Sequence, residues 1–252
     1  MNTRRTLQSV LTAGLIFSSL LGAVNAHASV VIAGTRAIYN AQEKEATIKL
    51  SNEGKTPALT QAWIDNGDAD AEPSAIEVPF LVTPPMMRID PSKAQTLRIL
   101  HSGEPMAQDK ETLFWLNVLE IPPNPDAATL AADENTLQLA IRTRIKLFYR
   151  PAKLKGTAQE APAQIAWRMV QSGKQQSLEA RNPTPYHVSF TALEVTGAGN
   201  TATFEDGGMV GPGETRQFPL KGEVSPGPDL KVHYHAINDY GGDIDGEAVP
   251  AR

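Results

Sequence analysis

Residues 136–150 read TLQLAIRTRIKLFYR, and apolar or β-branched side chains occupy every second position from Leu137 to Leu147. A period of two indicates a β-strand, because successive strand side chains point to opposite faces. At about 3.3 Å per residue, the segment would extend roughly 45 Å, whereas an ordinary strand has about five or six residues. Part of this strand is therefore expected to extend beyond its own domain, with an unpaired backbone edge.

Two interpretations of the exposed part are open. Either the exposed part packs within its own chain, on a sister domain or under a loop, or it is added as a strand to the sheet of another protein. In the second case the added part lies near Leu137, Leu139 and Ile141.

Residues 1–28 have the features of a secretory signal peptide. Arg4 and Arg5 precede a largely apolar run at 11–24, and Ala26-His27-Ala28 supplies the small residues of a cleavage site. The run is too short to predict a membrane span, so we expect an exported, soluble chain that starts at Ser29. Loss of the two arginines changes the formal net charge from −5 to −7, which argues against nucleic acid as a partner.

The composition predicts an all-β protein without cofactors. The chain has no cysteine, so hydrophobic cores alone must stabilise the fold, and cysteine nucleophiles and thiolate metal sites are excluded. The 19 glycines and 19 prolines separate short alternating segments, which is typical of β-sandwiches rich in turns. The sequence contains no nucleophile elbow, phosphate loop or zinc-protease motif, and we do not expect an enzyme.

The alternating segments group into two sets. Seven strands precede residue 151, among them a strong one at 113–121 and the long one at 136–150. We expect Trp63 in the core, and Thr83-Pro84-Pro85 at an edge, a crossover between sheets or a cis-proline turn. Residues 152–162 have no pattern and are interpreted as a linker. Shorter strands follow at 165–169, 177–180, 188–195, 201–204, 215–219 and 232–238. We therefore predict an N-terminal immunoglobulin-like sandwich at 29–152 and a second β-sandwich at 153–252.

Several motifs carry a resemblance to one protein family. The segments AQDKETLFWLNVLEIPP (107–123) and IKLFYRP (145–151) resemble the signature of the PapD-like periplasmic chaperones of chaperone-usher pili. Further matches follow in the same order along the chain: TRA (35–37), QAWI (61–64), TPP (83–85), NPTPY (182–186) and INDYGG (237–242). The resemblance thus covers nearly the whole mature chain.

The resemblance implies two immunoglobulin-like domains in a boomerang arrangement. It also implies a periplasmic chaperone that folds and caps pilus subunits and delivers them to an outer-membrane usher. In that family the subunit lacks its last strand, and the long G1 strand of the chaperone fills the gap by donor-strand complementation. An exposed donor strand could also be covered by a second copy of the chaperone, as a self-capping homodimer.

Specific roles follow from matching this chain to the family's motifs. Leu137, Leu139 and Ile141 match the donor residues, and each could contribute about 1.5–3 kcal/mol when buried in a subunit. Arg36 and Lys146 match the two basic residues that bind the subunit's C-terminal carboxylate. Simple alternation places Lys146 on the face opposite Leu137, so its role comes from the resemblance alone. Glu111, Arg150 and Asp239 match a salt-bridge network that sets the angle between the domains.

Three points stay open. The connection 122–135 is longer than in short-loop members of the family, while the absence of cysteine argues against the long-loop subclass. His233 and His235 share one face of a predicted strand with the spacing that a metal could use, although no third ligand is fixed. An exported adhesin built from immunoglobulin-like domains is the other alternative, but it would be expected to carry aromatic-rich ligand loops, and aromatic residues make up 6% of the chain.

Overall fold

The computed structural model describes residues 29–122, 139–225 and 227–251, so the predicted signal peptide lies outside the described residues. The first half of the chain contains nine strands: β1 (Val30–Ile32), β2 (Arg36–Asn40), β3 (Ala46–Asn52), β4 (Ala58–Asp65), β5 (Phe80–Thr83), β6 (Met86–Ile89), β7 (Ala94–His101), β8 (Thr112–Ile121) and β9 (Ile141–Arg150). The second half contains eight: β10 (Ala166–Ser172), β11 (Gln175–Arg181), β12 (Val188–Gly197), β13 (Asn200–Phe204), β14 (Gly208–Val210), β15 (Thr215–Pro219), β16 (Lys231–Ile237) and β17 (Asp243–Ala248). Two short 3-10 helices complete the described elements, Pro73–Ala75 and Ala161–Gln164.

The two halves have separate hydrophobic cores, and the prediction of an all-β chain with two sandwich domains is confirmed. In the first domain a sheet of order β1-β3-β7-β5 faces a sheet of order β2-β9-β8-β4-β6. Inward side chains such as Leu50, Leu97, Leu116 and Leu147 are fully buried between them. Burial of these alternate positions is what the period of two in the sequence predicts.

Two points in the first domain carry the chain from one sheet to the other. Gly34 has a φ of 130°, which favours glycine, and it separates β1 in the first sheet from β2 in the second. The Thr83–Pro84 peptide is cis and joins β5, at the edge of one sheet, to β6, at the edge of the other. The sequence left an edge, a crossover and a cis-proline turn as alternatives for these prolines, and all three occur together.

The strand predicted at 136–150 is shorter in its described part. Regular pairing with β8 begins at Ile141, which lies opposite Glu120, and Leu139 precedes the strand. Since β8 ends at Ile121 and Pro122 has no backbone N–H to donate, the neighbouring strand cannot continue the ladder. Leu137 lies outside the described residues.

The expectation that Trp63 belongs to the core is wrong. Its neighbours Ala62 and Ile64 are buried in the core, whereas Trp63 is half-buried on the outer face of the sheet. There the Arg142 guanidinium lies 5.0 Å from its ring centroid, a cation–π contact. Both faces of β4 carry apolar side chains, so alternation alone does not say which face is inside.

The second domain packs a sheet of order β10-β11-β15 on a sheet of order β13-β12-β16-β17, in which β14 also pairs with β12. Six of its strands match the predicted segments, while β14 and β17 were not predicted. In β17 the half-buried positions are Ile244, Gly246 and Ala248, and acidic residues alternate with them. A Cβ on Gly246 would lie 2.1 Å from the Tyr234 hydroxyl, so close packing on β16 requires glycine at this position.

Candidate functional site: the cleft between the domains

One face of β9 is directed at the second domain. Ile145, Leu147 and Tyr149 point into the core, and the intervening residues Lys146 and Phe148 therefore point outward. Lys146 Nζ donates a hydrogen bond to Ser189 Oγ at 2.9 Å. The Phe148 ring lies 5.2 Å from the His187 ring.

Arg36 and Lys146 are brought together by strand pairing. They are directly opposite each other where β2 runs parallel to β9. Arg36 Nη1 donates to the Ile237 carbonyl oxygen at 3.1 Å, while its buried Nε finds no acceptor among the described residues. Two cations from adjacent strands thus meet at the domain junction, and neither forms an ion pair within the described part of the chain. We call this pair the carboxylate site, because the family resemblance predicts that it binds the C-terminal carboxylate of a subunit.

The environment of this pair disfavours its positive charges. Burial, followed by the charges of Arg36 and Arg216, lowers the pKa of Lys146 to about 8. Burial also lowers the pKa of Arg36, although the carboxylates of Asp239 and Glu111 act in the opposite direction. An anion placed between the two cations would relieve this unfavourable environment, which is the electrostatic property expected of an anion site.

Glu111, Arg150 and Asp239 form one connected network across the junction. Arg150 Nε donates to Glu111 Oε1 at 2.6 Å, and its Nη1 and Nη2 donate to the two Asp239 oxygens at 2.6 and 2.8 Å. Burial alone would lower the pKa of Arg150, but hydrogen bonds and charge from the two carboxylates raise it above its ordinary value. Glu111 also accepts from the backbone nitrogen of His187 at 2.8 Å and lies 3.2 Å from its Nδ1.

The edge of β9 is covered along only part of its length. β8 pairs with β9 from Ile141 onward, but β2 pairs only with residues 146–150. On the β2 side, residues 141–145 have no partner strand in the described part of the chain. Leu139, just before this free edge, is 62% exposed and continues the odd-numbered row that forms the core further along.

His233 and His235 lie on the outer face of β16, and each faces an acidic residue of β17. His235 Nδ1 is 2.6 Å from Asp245 and His233 Nδ1 is 3.7 Å from Glu247. Within the residues that the structure describes, no group of three or more His, Asp or Glu side chains could hold a metal ion. The metal alternative therefore has no complete ligand set here.

Sequence reasoning missed the contributions of the second domain to this cleft. His187 directly precedes β12 and Ser189 lies at its start, while the Ile237 carbonyl comes from the end of β16 and Arg216 from β15. Each is an ordinary strand or loop residue in sequence, and only the packing of the two domains gives it a role. No local pattern could have identified them.

Comparison with known proteins decides the family. Residues 29–155 match the family model described as "Pili and flagellar-assembly chaperone, PapD N-terminal domain". Residues 160–248 match the model "Pili assembly chaperone PapD, C-terminal domain". This chain belongs to the PapD family of pilus-assembly chaperones. The predicted resemblance is confirmed, whereas the exact domain boundary at 152/153 stays a prediction.

Relatives of PapD type are similar over almost the whole chain. The probable fimbrial chaperone YadV of Escherichia coli K12 is 42% identical over 248 residues, covering 98% of both chains. The chaperone protein FimB/FhaD of Bordetella pertussis is 44% identical over 243 residues, covering 95% of this chain and 94% of that one.

Solved structures of chaperones agree with this family assignment. The YadV chaperone crystal structure has a TM-score of 0.74 at 40% identity and covers 88% of this chain and 99% of its own. SafB of Salmonella enterica, solved in complex with the SafA pilin, has a TM-score of 0.70 at 29% identity, covering 90% and 98%.

Family membership makes this protein a pilus-assembly chaperone with the PapD-like two-domain fold. The relatives are named as chaperones, and none of those reported above is named as an adhesin. Chaperones of this family act in the periplasm. None of the helices in the described residues is long and apolar enough to cross a membrane.

Proposed function

We propose that the free edge of β9 binds pilus subunits by donor-strand complementation, with Leu137, Leu139 and Ile141 as the donor side chains. The observation that carries the proposal is that β2 covers only residues 146–150, which leaves 141–145 available to a further strand. Main-chain hydrogen bonds along such an edge are independent of partner sequence, so several related subunits could be accepted. Exposed aliphatic side chains such as Leu139 would fill a partner's open core.

The carboxylate site gives the added strand its direction and end point. A strand that pairs with residues 141–145 must stop where β2 begins, which is at the Arg36–Lys146 pair. If it runs parallel to β9, its C-terminal carboxylate arrives at two cations and forms charge-assisted hydrogen bonds. If it runs antiparallel, its other end meets them, without that attraction. We therefore propose parallel addition, in a register fixed by the carboxylate.

The network of Glu111, Arg150 and Asp239 has a supporting role in this proposal. Its hydrogen bonds join the end of β9 to the second domain next to the carboxylate site. We propose that it sets the interdomain angle and so holds Arg36 and Lys146 at a fixed distance from the contributions of the second domain. Buried ionic networks are better suited to specifying geometry than to adding stability.

Three further elements complete the proposal. The subunit complex is delivered to the outer-membrane usher, and the free chaperone covers its donor strand by forming a homodimer. Export uses the signal peptide at 1–28 with cleavage after Ala28, which gives a periplasmic chain starting at Ser29.

Periplasmic co-expression with a pilin subunit from the same organism tests the proposal. Wild type is expected to yield a soluble one-to-one complex, and Arg36→Ala and Lys146→Ala to lose it while staying folded. Arg168→Ala, which removes an exposed arginine from β10, is the matched control and should retain the subunit. Undiminished recovery with both cleft variants would refute the carboxylate site, and no complex with wild type would refute subunit binding through β9.

A further inference from the structure

A third cation lies beside the carboxylate site. Arg216 is on β15, and its guanidinium crosses from the three-stranded sheet to β14, where Nη1 donates to the Met209 carbonyl oxygen at 2.9 Å. Met209 is the direct strand partner of Ser189, the residue that accepts the hydrogen bond of Lys146. Lys146 and Arg216 therefore contact two residues that are directly paired on neighbouring strands.

The pKa of Lys146 agrees with the proximity of Arg216. Arg216 is one of the groups whose positive charge lowers the pKa of Lys146, behind burial and Arg36. Arg216 is exposed at the surface, and its guanidinium lies over the Phe218 ring, with 5.4 Å from the guanidinium carbon to the ring centroid. The hydrogen bond to Met209 uses one of five donors, so the others are available to a ligand.

The positive charges of these three side chains are not balanced within the part of the chain that the structure describes. Arg36, Lys146 and Arg216 form no ion pair with any carboxylate in the described residues. Asp239 and Glu111 act on Arg36 through space, but both carboxylates are bound by Arg150. One C-terminal carboxylate would supply a single negative charge against three positive ones. A ligand with a second acidic group at its end would match the site better.

We propose that Arg216 is a specificity-determining residue that extends the carboxylate site into the second domain. It selects subunits that carry an acidic side chain at one of their last two residues, in addition to the terminal carboxylate. This inference rests on the proposed function of Arg36 and Lys146. A purely structural alternative is that Arg216 only closes the open edge of the second sandwich above Phe218.

Fluorescence anisotropy with synthetic peptides separates these possibilities. The probes are labelled peptides of alternating apolar and polar residues with a free C-terminal carboxylate. They carry Glu or Gln at the last or the next-to-last position, and each is also made as the C-terminal amide. Wild type is expected to bind the better Glu peptide about fivefold more tightly than its Gln counterpart, in a salt-sensitive manner. Arg216→Gln should remove this preference and leave binding of the Gln peptides unchanged.

Arg168→Gln is the control, because Arg168 pairs with Glu179 on the outer face of the same three-stranded sheet. Should Arg216→Gln destabilise the domain, Arg216→Met keeps an apolar side chain beside Phe218 and removes the charge together with the hydrogen bond to Met209. A preference for Glu that persists in the folded variant overturns the proposal for Arg216, as does an equal loss for Glu and Gln peptides. By contrast, wild type that binds amides as tightly as acids would refute the carboxylate site itself.

Discussion

Arg36 and Lys146 lie directly opposite each other in the parallel pair β2–β9, and each donates a hydrogen bond to the second domain. The pair also marks the place where β2 stops covering the edge of β9. A single structural feature thus combines the end of a free strand edge, two uncompensated cations and the domain junction.

The first prediction concerns pH. Because Lys146 has a pKa of about 8 in the free protein, it loses its proton at mildly alkaline pH. A carboxylate ligand binds the protonated form, so affinity for a carboxylate-ended subunit peptide should fall about tenfold between pH 7 and pH 9. Anisotropy titrations across this range measure the effect, and Lys146→Arg, which does not titrate there, should show a much flatter profile. A profile identical in wild type and Lys146→Arg would contradict the role of this proton.

The lowered pKa of Lys146 also affects stability: the free energy of unfolding should rise with pH, whereas the affinity for the subunit should fall. The pKa of Lys146 is lower in the folded chain than its ordinary value of 10.5, so the unfolded chain binds more protons between about pH 8 and 10.5. The contribution of Lys146 therefore makes unfolding less favourable as pH rises through this window. Comparing urea unfolding of wild type and Lys146→Met at pH 7.5 and 10 isolates this contribution. Equal pH dependence of the two proteins would exclude it.

The second prediction concerns the interdomain network. Arg150→Gln leaves the buried Glu111 without its cationic partner, and we expect the free energy of unfolding to fall by about 3 kcal/mol. Small-angle scattering should also detect a wider distribution of interdomain distances. The exposed pair Arg168–Glu179 supplies the control, since Arg168→Gln should cost less than about 0.5 kcal/mol and leave the scattering unchanged. If Arg150→Gln changes stability but not scattering, the network does not set the angle.

The sequence was sufficient to predict strands in which apolar and polar side chains alternate. The period of two in β8 and β9 predicted both strands, because one face of each strand packs in the core. It was insufficient where both faces carry apolar groups, as at Trp63, whose large ring lies outside while Ala62 lies inside. Strand β17 escaped prediction because Gly246 and its acidic neighbours weaken the pattern, although Gly246 is required by the close approach of Tyr234.

The cleft was predictable only in part. Arg36 and Lys146 could be named through family resemblance, but nothing in the sequence states that they are strand partners. The contacts of Ser189 with Lys146 and of His187 with Glu111 join residues far apart in the chain, and such contacts leave no local periodicity. Docking of two domains is decided by the sum of these contacts, which becomes visible only in the structure.

The third prediction concerns the donor side chains. Leu139 is 62% exposed, so Leu139→Ala should leave the stability of the free chaperone nearly unchanged. In the complex, loss of its buried side chain should cost about 1.5–3 kcal/mol, equivalent to a roughly 10- to 150-fold weaker complex. Leu81, which is 64% exposed on β5 at the edge of the other sheet, provides a closely matched control. Equal affinities of the Leu139→Ala and Leu81→Ala variants for a subunit would contradict the donor role of Leu139.

The last prediction joins signal-peptide cleavage to the fold. The backbone nitrogens of Ser29 and Val30 donate to Glu120 Oε2 at 3.0 and 3.1 Å, at the end of β8. If cleavage follows Ala28, the Ser29 nitrogen becomes an ammonium group, and its hydrogen bond to the Glu120 carboxylate gains the attraction of an ion pair. Glu120→Gln should then lower the free energy of unfolding by about 2 kcal/mol in the exported protein. The same substitution should cost about half as much in cytoplasmically expressed protein that retains a residue before Ser29. Urea unfolding compares wild type with Glu120→Gln in the exported and in the cytoplasmically expressed protein, and mass spectrometry measures the N-terminus of each. An equal cost of the substitution in both backgrounds would mean that the ammonium group contributes nothing at this position.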